Sequence, residues 1–228
     1  MKGEYVLTFR WAPRRENSDE CACRMDRYVR GLAQVSPAFT SWRRNKPREK
    51  IFKAPIPVEK LQEWMLDGVN RGDADGLPIE RLGFSLGMTV SGNGKKVQTR
   101  VNCGVFSEVM VNNGSIEFYW HGPIDPEFLD LSILRRIFDV VVTSWEPDIV
   151  LMTTVECLLL KPPLHHAGWL TYLSPVYDGF NDIPEPGRVE KLGNGRLIVA
   201  CQEAFSFETP EHLAYVKELS QEIKAYRE

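Results

Sequence analysis

His165 and His166, with Glu156 and Cys157 a short way upstream, are the stretch of this chain richest in metal-ligand residue types. Zinc sites need three or four such side chains at spacings that let them converge. No C-x-x-C or H-x-x-x-H spacing accompanies these four, and Pro162-Pro163 intervenes. A polar loop is the plainer reading, and no metal or other cofactor is expected. Cys21 and Cys23 are two apart on an expected helix, so their side chains point about 200° apart and cannot chelate one ion. The acidic run Asp73-Ala74-Asp75-Gly76 hints at a calcium loop. Placing Gly76 at the sharp turn, however, puts Arg71 where the first carboxylate belongs and Leu82 where the bidentate glutamate belongs.

Nucleophilic and phosphate chemistry fare no better. A G-x-S-x-G elbow is missing. Gly92-Asn93-Gly94-Lys95-Lys96 has glycines and lysines without the spacing or the Ser/Thr of a P-loop; both it and Gly193-Asn194-Gly195 read as hairpin turns. A restriction-nuclease core needs an acid followed by an E-x-K element on neighbouring strands. Asp148 precedes an expected strand, but Glu156 and Lys161 are wrongly spaced, and Glu222-Ile223-Lys224 falls on an expected helix. The residues therefore offer no catalytic constellation, and the expectation is a protein that is not an enzyme.

Recognition chemistry is better represented. Tyr177 and Phe180 lie among Asp178, Asp182, Pro184, Glu185 and Pro186, and a second turn-rich stretch, 67–80, carries Asp73 and Asp75. Exposed aromatics ringed by acids suit an interface with a basic protein, the acids steering association and the rings anchoring it. Asp73, Asp75, Tyr177, Asp178, Phe180 and Asp182 are accordingly the candidate contact residues.

Composition sets the frame for these loops. A 228-residue chain with 43% hydrophobic and 26% charged residues can bury a substantial core unaided. No run approaches the roughly 20 apolar residues of a membrane span, so no membrane partner is expected. The opening MKGEYVLTFRW lacks a long apolar core and a small-residue cleavage site, and reads as a first strand rather than a signal peptide. Five cysteines, an odd number, suggest reduced thiols and a cytoplasmic location. Residues 1–53 hold 13 Lys/Arg against 6 Asp/Glu, net +7, while the remainder holds 15 against 25, net −10. Such asymmetry steers charged partners.

The elements that must position these residues follow from periodicity. Tyr5, Leu7, Phe9 and Trp11 alternate as in a strand. Asn17 with Glu20 outlines a capping box, and Ala22, Met25, Val29, Leu32 and Ala33 continue it at helical spacing to Ser36-Pro37. A basic loop, Arg43 to Lys53, leads to a second helix with Val58, Leu61, Met65 and Val69 on one face. Gly83 to Val90, Val97 to Met110 and Ser115 to Trp120 read as an antiparallel meander, with turns at 91–94 and at Asn112-Asn113-Gly114. Asp125-Pro126-Glu127 starts a third helix, which Leu134, Ile137, Phe138 and Val141 bury. Strands follow at Ile149 to Val155, near Trp169 to Leu173 and at Arg196 to Gln202. A last helix from Thr209-Pro210 buries Leu213, Val216, Leu219 and Ile223. Helices and strands do not alternate strictly, so the expected class is α+β: a mainly antiparallel sheet with about four helices packed on it. One domain over 1–228 is expected, with a two-lobed organisation, 1–122 and 123–228, as its variant.

The order GWLTYLS (168–174), GNG turn (193–195), Leu197-Ile198-Val199-Ala200 and EAFSFETPEH (203–212) before an amphipathic helix resembles the C-terminal half of the immunity protein 52 family. Phe9-Arg10-Trp11, Arg14-Arg15-Glu16 and Cys21-Ala22 resemble that family's opening. The resemblance implies a protein that neutralises a toxin of a polymorphic or type VI secretion system in bacterial competition. It implies a cognate toxin partner encoded by the adjacent gene, typically a DNase with a restriction-endonuclease fold, and no direct contact with nucleic acid. A nuclease must hold phosphates on a basic surface, so an acidic face on its inhibitor fits. Two other readings compete: a metal-dependent hydrolase built on His165 and His166, and a nucleic-acid-binding module using Arg43 to Lys53 with Trp42.

Overall fold

The computed structural model describes residues 4–72, 76–90, 97–108, 110–118 and 124–227. In chain order the elements are β1 (Tyr5–Trp11), α1 (Ser18–Val35), β2 (Ser41–Arg44), β3 (Phe52–Lys53), α2 (Val58–Asp67), β4 (Phe84–Val90), β5 (Gln98–Cys103) and β6 (Asn112–Glu117). Then come α3 (Leu131–Trp145), β7 (Ile149–Thr154), α4 (Val155–Leu158), β8 (Leu170–Leu173), β9 (Arg188–Leu192), β10 (Gly195–Val199) and α5 (Pro210–Arg227). The class is α+β. Among the described residues a single ten-stranded sheet runs in the order β3-β2-β4-β5-β6-β1-β7-β8-β10-β9, larger than expected, and every pairing is antiparallel. Four helices are long; α4 is a single turn.

The first strand holds the sheet together. β1 pairs with β6 on one side and β7 on the other, so it joins strands from the two halves of the sequence. Its alternation divides the layers. Phe9 packs on Tyr28 of α1, and Trp11 stacks on Trp145 of α3 at 5.5 Å; α1, α2 and α3 thus share one face. Arg10, on the other side of β1, pairs across the ladder with Ile149, which pairs with Leu173, which pairs with Arg196. That second face is covered by α5 beneath β8 and β10, where Arg196 and Tyr226 meet the same loop. On β5 the second face carries Arg100 and Asn102, which are exposed and half-buried.

Local chemistry sets the helix ends. Asn17 and Glu20 form the expected capping box, with Asn17 Oδ1 accepting from the Glu20 N–H and Glu20 Oε2 from the Asn17 N–H, and Ser36 ends the helix. The third helix begins later than expected: Pro126–Leu129 is a 3-10 turn, and Asp130 caps the α-helix proper by accepting from Ser132 and Ile133. Leu134, Ile137, Phe138 and Val141 are buried, as are Val216, Leu219 and Ile223 of α5.

Four strand assignments change. Asn112-Asn113-Gly114 is not a turn but the start of β6, in register with Trp11, Arg10 and Phe9. Asn112 is buried there because its amide bridges Ala12 O and both backbone groups of Val105. Gly114 lies under the Phe9 ring, where a Cβ would fall 2.2 Å from Cζ. The expected strand to Met110 ends at Cys103, and β9 emerges from a charged stretch without hydrophobic alternation. Part of the basic loop is itself paired: Arg43 and Arg44 belong to β2, which meets β3 and β4. The turn at 91–94 and Trp120 lie outside the described residues. No described helix is long and apolar enough to cross a membrane.

Candidate toxin-binding surface

The loop that joins β8 to β9, residues 174–187, is built on its own aromatics. Pro175 starts a 3-10 turn through Tyr177, and Phe180 N–H donates to Tyr177 O. Arg196 on β10 donates Nη2 to Tyr177 O at 2.6 Å and also to Phe180 O, while its guanidinium lies 5.7 Å from the Phe180 ring centre. From α5, Tyr226 meets Phe180 edge-on at 5.8 Å, and Arg227 sits 5.7 Å over Tyr177. Burial pushes the Tyr177 phenol up, against the opposing pull of Arg227.

Tyr177 and Phe180 are therefore not exposed, as the sequence suggested; each is 1% accessible. Two large rings following a β-strand find a covered sheet face and a helix within reach, and burying them stabilises far more than solvating them. Asp178 and Asp182 are exposed, as are Glu185 and Pro186. Asp73 and Asp75 lie outside the described residues. The structure thus brings Asp178 and Asp182 together on one loop held from below by Tyr177 and Phe180. Sequence reading missed Val176, which is 65% exposed beside these acids; the available signal was Pro175, which turns the chain so that Val176 faces out while Tyr177 turns in.

The residues weighed for chemistry are dispersed. Cys21 is buried and Cys23 exposed, as their helical spacing requires. His165 and His166 face cations rather than further ligands: Arg10 donates to His165 O. Both imidazoles are held below their ordinary range by burial first and by Arg10 next. Trp42 is fully buried with its indole N–H on Phe39 O, so it offers no stacking platform beside the basic β2–β3 connection. That connection, with Arg43, Arg44, Lys46, Arg48 and Arg100, lines a shallow recess of about 450 Å³.

Among the described residues, Cys201, Glu203 and His212 place their ligand atoms within 4.8 Å of one another. Their hydrogen bonds explain the grouping. His212 Nδ1 accepts from Ser206 N–H at 3.1 Å, so in the neutral ring Nε2 carries the proton and faces Glu203 Oε1 at 2.9 Å. A metal on Nε2 would drive that proton to Nδ1, against the Ser206 N–H. Burial, with Glu203 adding to it, pushes the Cys201 thiol up to about 12, so the thiolate that a metal needs is disfavoured. His212 stacks 5.6 Å from Phe205, and the trio clips the 201–209 connection onto the first turn of α5.

The Immunity protein 52 family model matches residues 3–226. The chain belongs to the Immunity protein 52 family. That match spans every strand and helix described above but the last residue of α5, and it includes the loop at 174–187. The fold is similar to that of the Pseudomonas aeruginosa T6SS protein PA0821, with a TM-score of 0.53 at 14% identity, covering 98% of this chain and 75% of that one. No curated protein sequence matches significantly. For an Immunity protein 52 member the relevant site is the surface that meets a toxin.

Proposed function

We propose that this chain is a cytoplasmic immunity protein that binds one cognate secreted toxin, a DNase of the restriction-endonuclease fold, and neutralises it by stoichiometric occlusion. The observation that carries the reading is the family match over residues 3–226, joined to an acidic loop whose base is immobilised by Arg196, Tyr226 and Arg227. Recognition loops work best on rigid supports, and an acidic rim speeds encounter with a basic nuclease surface. In this reading Asp178 and Asp182 contact the toxin directly, with Val176 as their apolar companion. Asp73 and Asp75 are the further candidate contacts of this reading. Tyr177 and Phe180 hold the loop in shape. The chain contributes a surface and no catalysis.

The test is a titration of DNase activity with this protein, using the product of the adjacent gene. Protection should reach completion at one molecule per toxin molecule. Protection at strongly substoichiometric amounts would show catalysis and overturn the reading, as would the absence of any complex. Reversing Asp178 and Asp182 to Lys should slow association several-fold at low salt and flatten its salt dependence, because the attractive term is removed. Unchanged rates would move the interface elsewhere, the basic Arg43 to Lys53 segment being the next surface to test.

A further inference from the structure

A recess of about 580 Å³ opens between α5 and the 160–166 loop, on the sheet face opposite α1 to α3. Its walls are of two kinds. Leu160, Pro162, Pro163 and Leu164 form an apolar side, whereas Lys161, His166, Lys217 and Lys224 supply nitrogen bases; no carboxylate is among the described lining residues. His166 Nδ1 is sealed from solvent and has no hydrogen-bond partner. Behind it Arg10 is half-buried, and its guanidinium spends a donor on a backbone carbonyl, His165 O. Among the described residues, the charges that hold the His166 imidazole down are those of Arg10, Arg227, His165 and Lys224, all of them cationic or able to become so.

Such an arrangement has a definite electrostatic sense. Cations gathered around a low-dielectric recess raise its potential, so a metal ion is repelled and an anion is attracted. The apolar wall adds a second requirement, since a bare ion would leave it wetted while an organic body would cover it.

We infer that this recess binds an organic anion with an apolar body, its carboxylate or phosphate head held by Lys217, Lys224 and His166 and its tail lying on Leu160, Pro162 and Leu164. The inference stands apart from the toxin reading, because the acidic loop contributes no residue to the recess. It also gives His166 a role that metal chemistry does not.

The same cations explain how occupancy would be read. Burial and the surrounding positive charge disfavour the imidazolium of His166; an anion beside it reverses the second of these influences, so the titration midpoint must rise on binding. Octanoate is the probe, with octanol and inorganic phosphate as the two half-ligands. Followed by the His166 ring resonances in the full-length protein, octanoate should bind saturably and raise the midpoint. Octanol and phosphate should each bind at least tenfold more weakly. The Lys217→Gln/Lys224→Gln double variant should lose at least tenfold in octanoate affinity. Should that variant fail to fold, the comparison of the three probes on the unmodified protein still decides. No saturable octanoate binding, octanol binding as tightly as octanoate, or zinc displacing octanoate at His166 would each overturn the assignment.

Discussion

Arg24 Nη2 donates to Glu146 Oε2 at 3.0 Å across 122 residues of sequence, locking the first turns of α1 to the C-terminal end of α3. The same guanidinium donates Nε to Glu16 at 2.5 Å and Nη1 to Ser144 O at 3.0 Å. Arg14 repeats the pattern, reaching Glu146 and Trp145 O. Two cations thus satisfy the open carbonyls at the helix end where the macrodipole is negative. The family-like run Arg14-Arg15-Glu16 acquires a structural reason: two of its three residues build this clamp.

Removing Arg24 leaves Glu16, whose side chain is 6% exposed, short of its closest partner. Arg24→Ala should cost about 2 kcal/mol, because Glu16 loses a charge-assisted hydrogen bond but keeps the Arg14 guanidinium at 3.1 Å. Glu146 is 62% exposed and sits at φ 49°, in the left-handed region that disfavours side chains. Glu146→Gly should therefore be the more stable of the two truncations, by about 1 kcal/mol over Glu146→Ala. Urea unfolding of the three variants checks the order; equal midpoints for Arg24→Ala and the unmodified protein would refute the clamp.

The aromatic base of the 174–187 loop separates stability from binding. Phe180→Ala should destabilise the fold by about 3–5 kcal/mol, because it empties a fully buried ring site. The Asp178→Lys/Asp182→Lys variant should unfold within about 0.5 kcal/mol of the unmodified protein, since both acids are solvated surface groups. Thermal unfolding measured alongside the binding kinetics distinguishes the two roles. A Phe180→Ala protein of unchanged stability would contradict the packing described for it.

Gly114 tests the reassigned strand. Were it in a turn, alanine there would cost little. In β6 its added methyl meets Phe9 Cζ at 2.2 Å and Cε2 at 2.5 Å, and overpacking of a filled core costs typically about 1–3 kcal/mol. The double variant Gly114→Ala/Phe9→Leu should recover part of that loss, which a turn position would not allow.

Asp67 gives a pH signature. Its hydrogen bonds with Lys46 and then Arg44 hold its carboxyl at about 2, below the ordinary 3.8. A group whose folded pKa is depressed adds stability above its unfolded pKa and loses it as pH falls through the folded value. The stability gap between the unmodified protein and Asp67→Asn should accordingly be constant above about pH 5 and close between about pH 4 and 2. A gap that persists at pH 2 would mean that the carboxylate charge is not its source. Asp67 is solvent-accessible, so the gap should be small.

Local patterning determined much of this protein in advance. The Asn17/Glu20 capping box, the buried stripe of α3, the apolar face of α5 and the alternation of β1 are short-range properties, set by side-chain spacing along the helix or strand. Family membership was also legible, carried by the order of runs such as GWLTYLS and EAFSFETPEH. Tertiary structure alone decided the rest, because it depends on partners remote in sequence. Nothing in Asn112-Asn113-Gly114 itself announces a strand; Phe9 needs the space above Gly114, and the Val105 backbone needs the Asn112 amide. Charged β9 becomes a strand because β10 offers it a ladder and Arg135 meets Glu190 with two bonds of 2.8 Å. Tyr177 and Phe180 read as exposed anchors beside acids, yet Arg196 and Tyr226, arriving from later in the chain, draw both rings inward and leave the carboxylates in solvent.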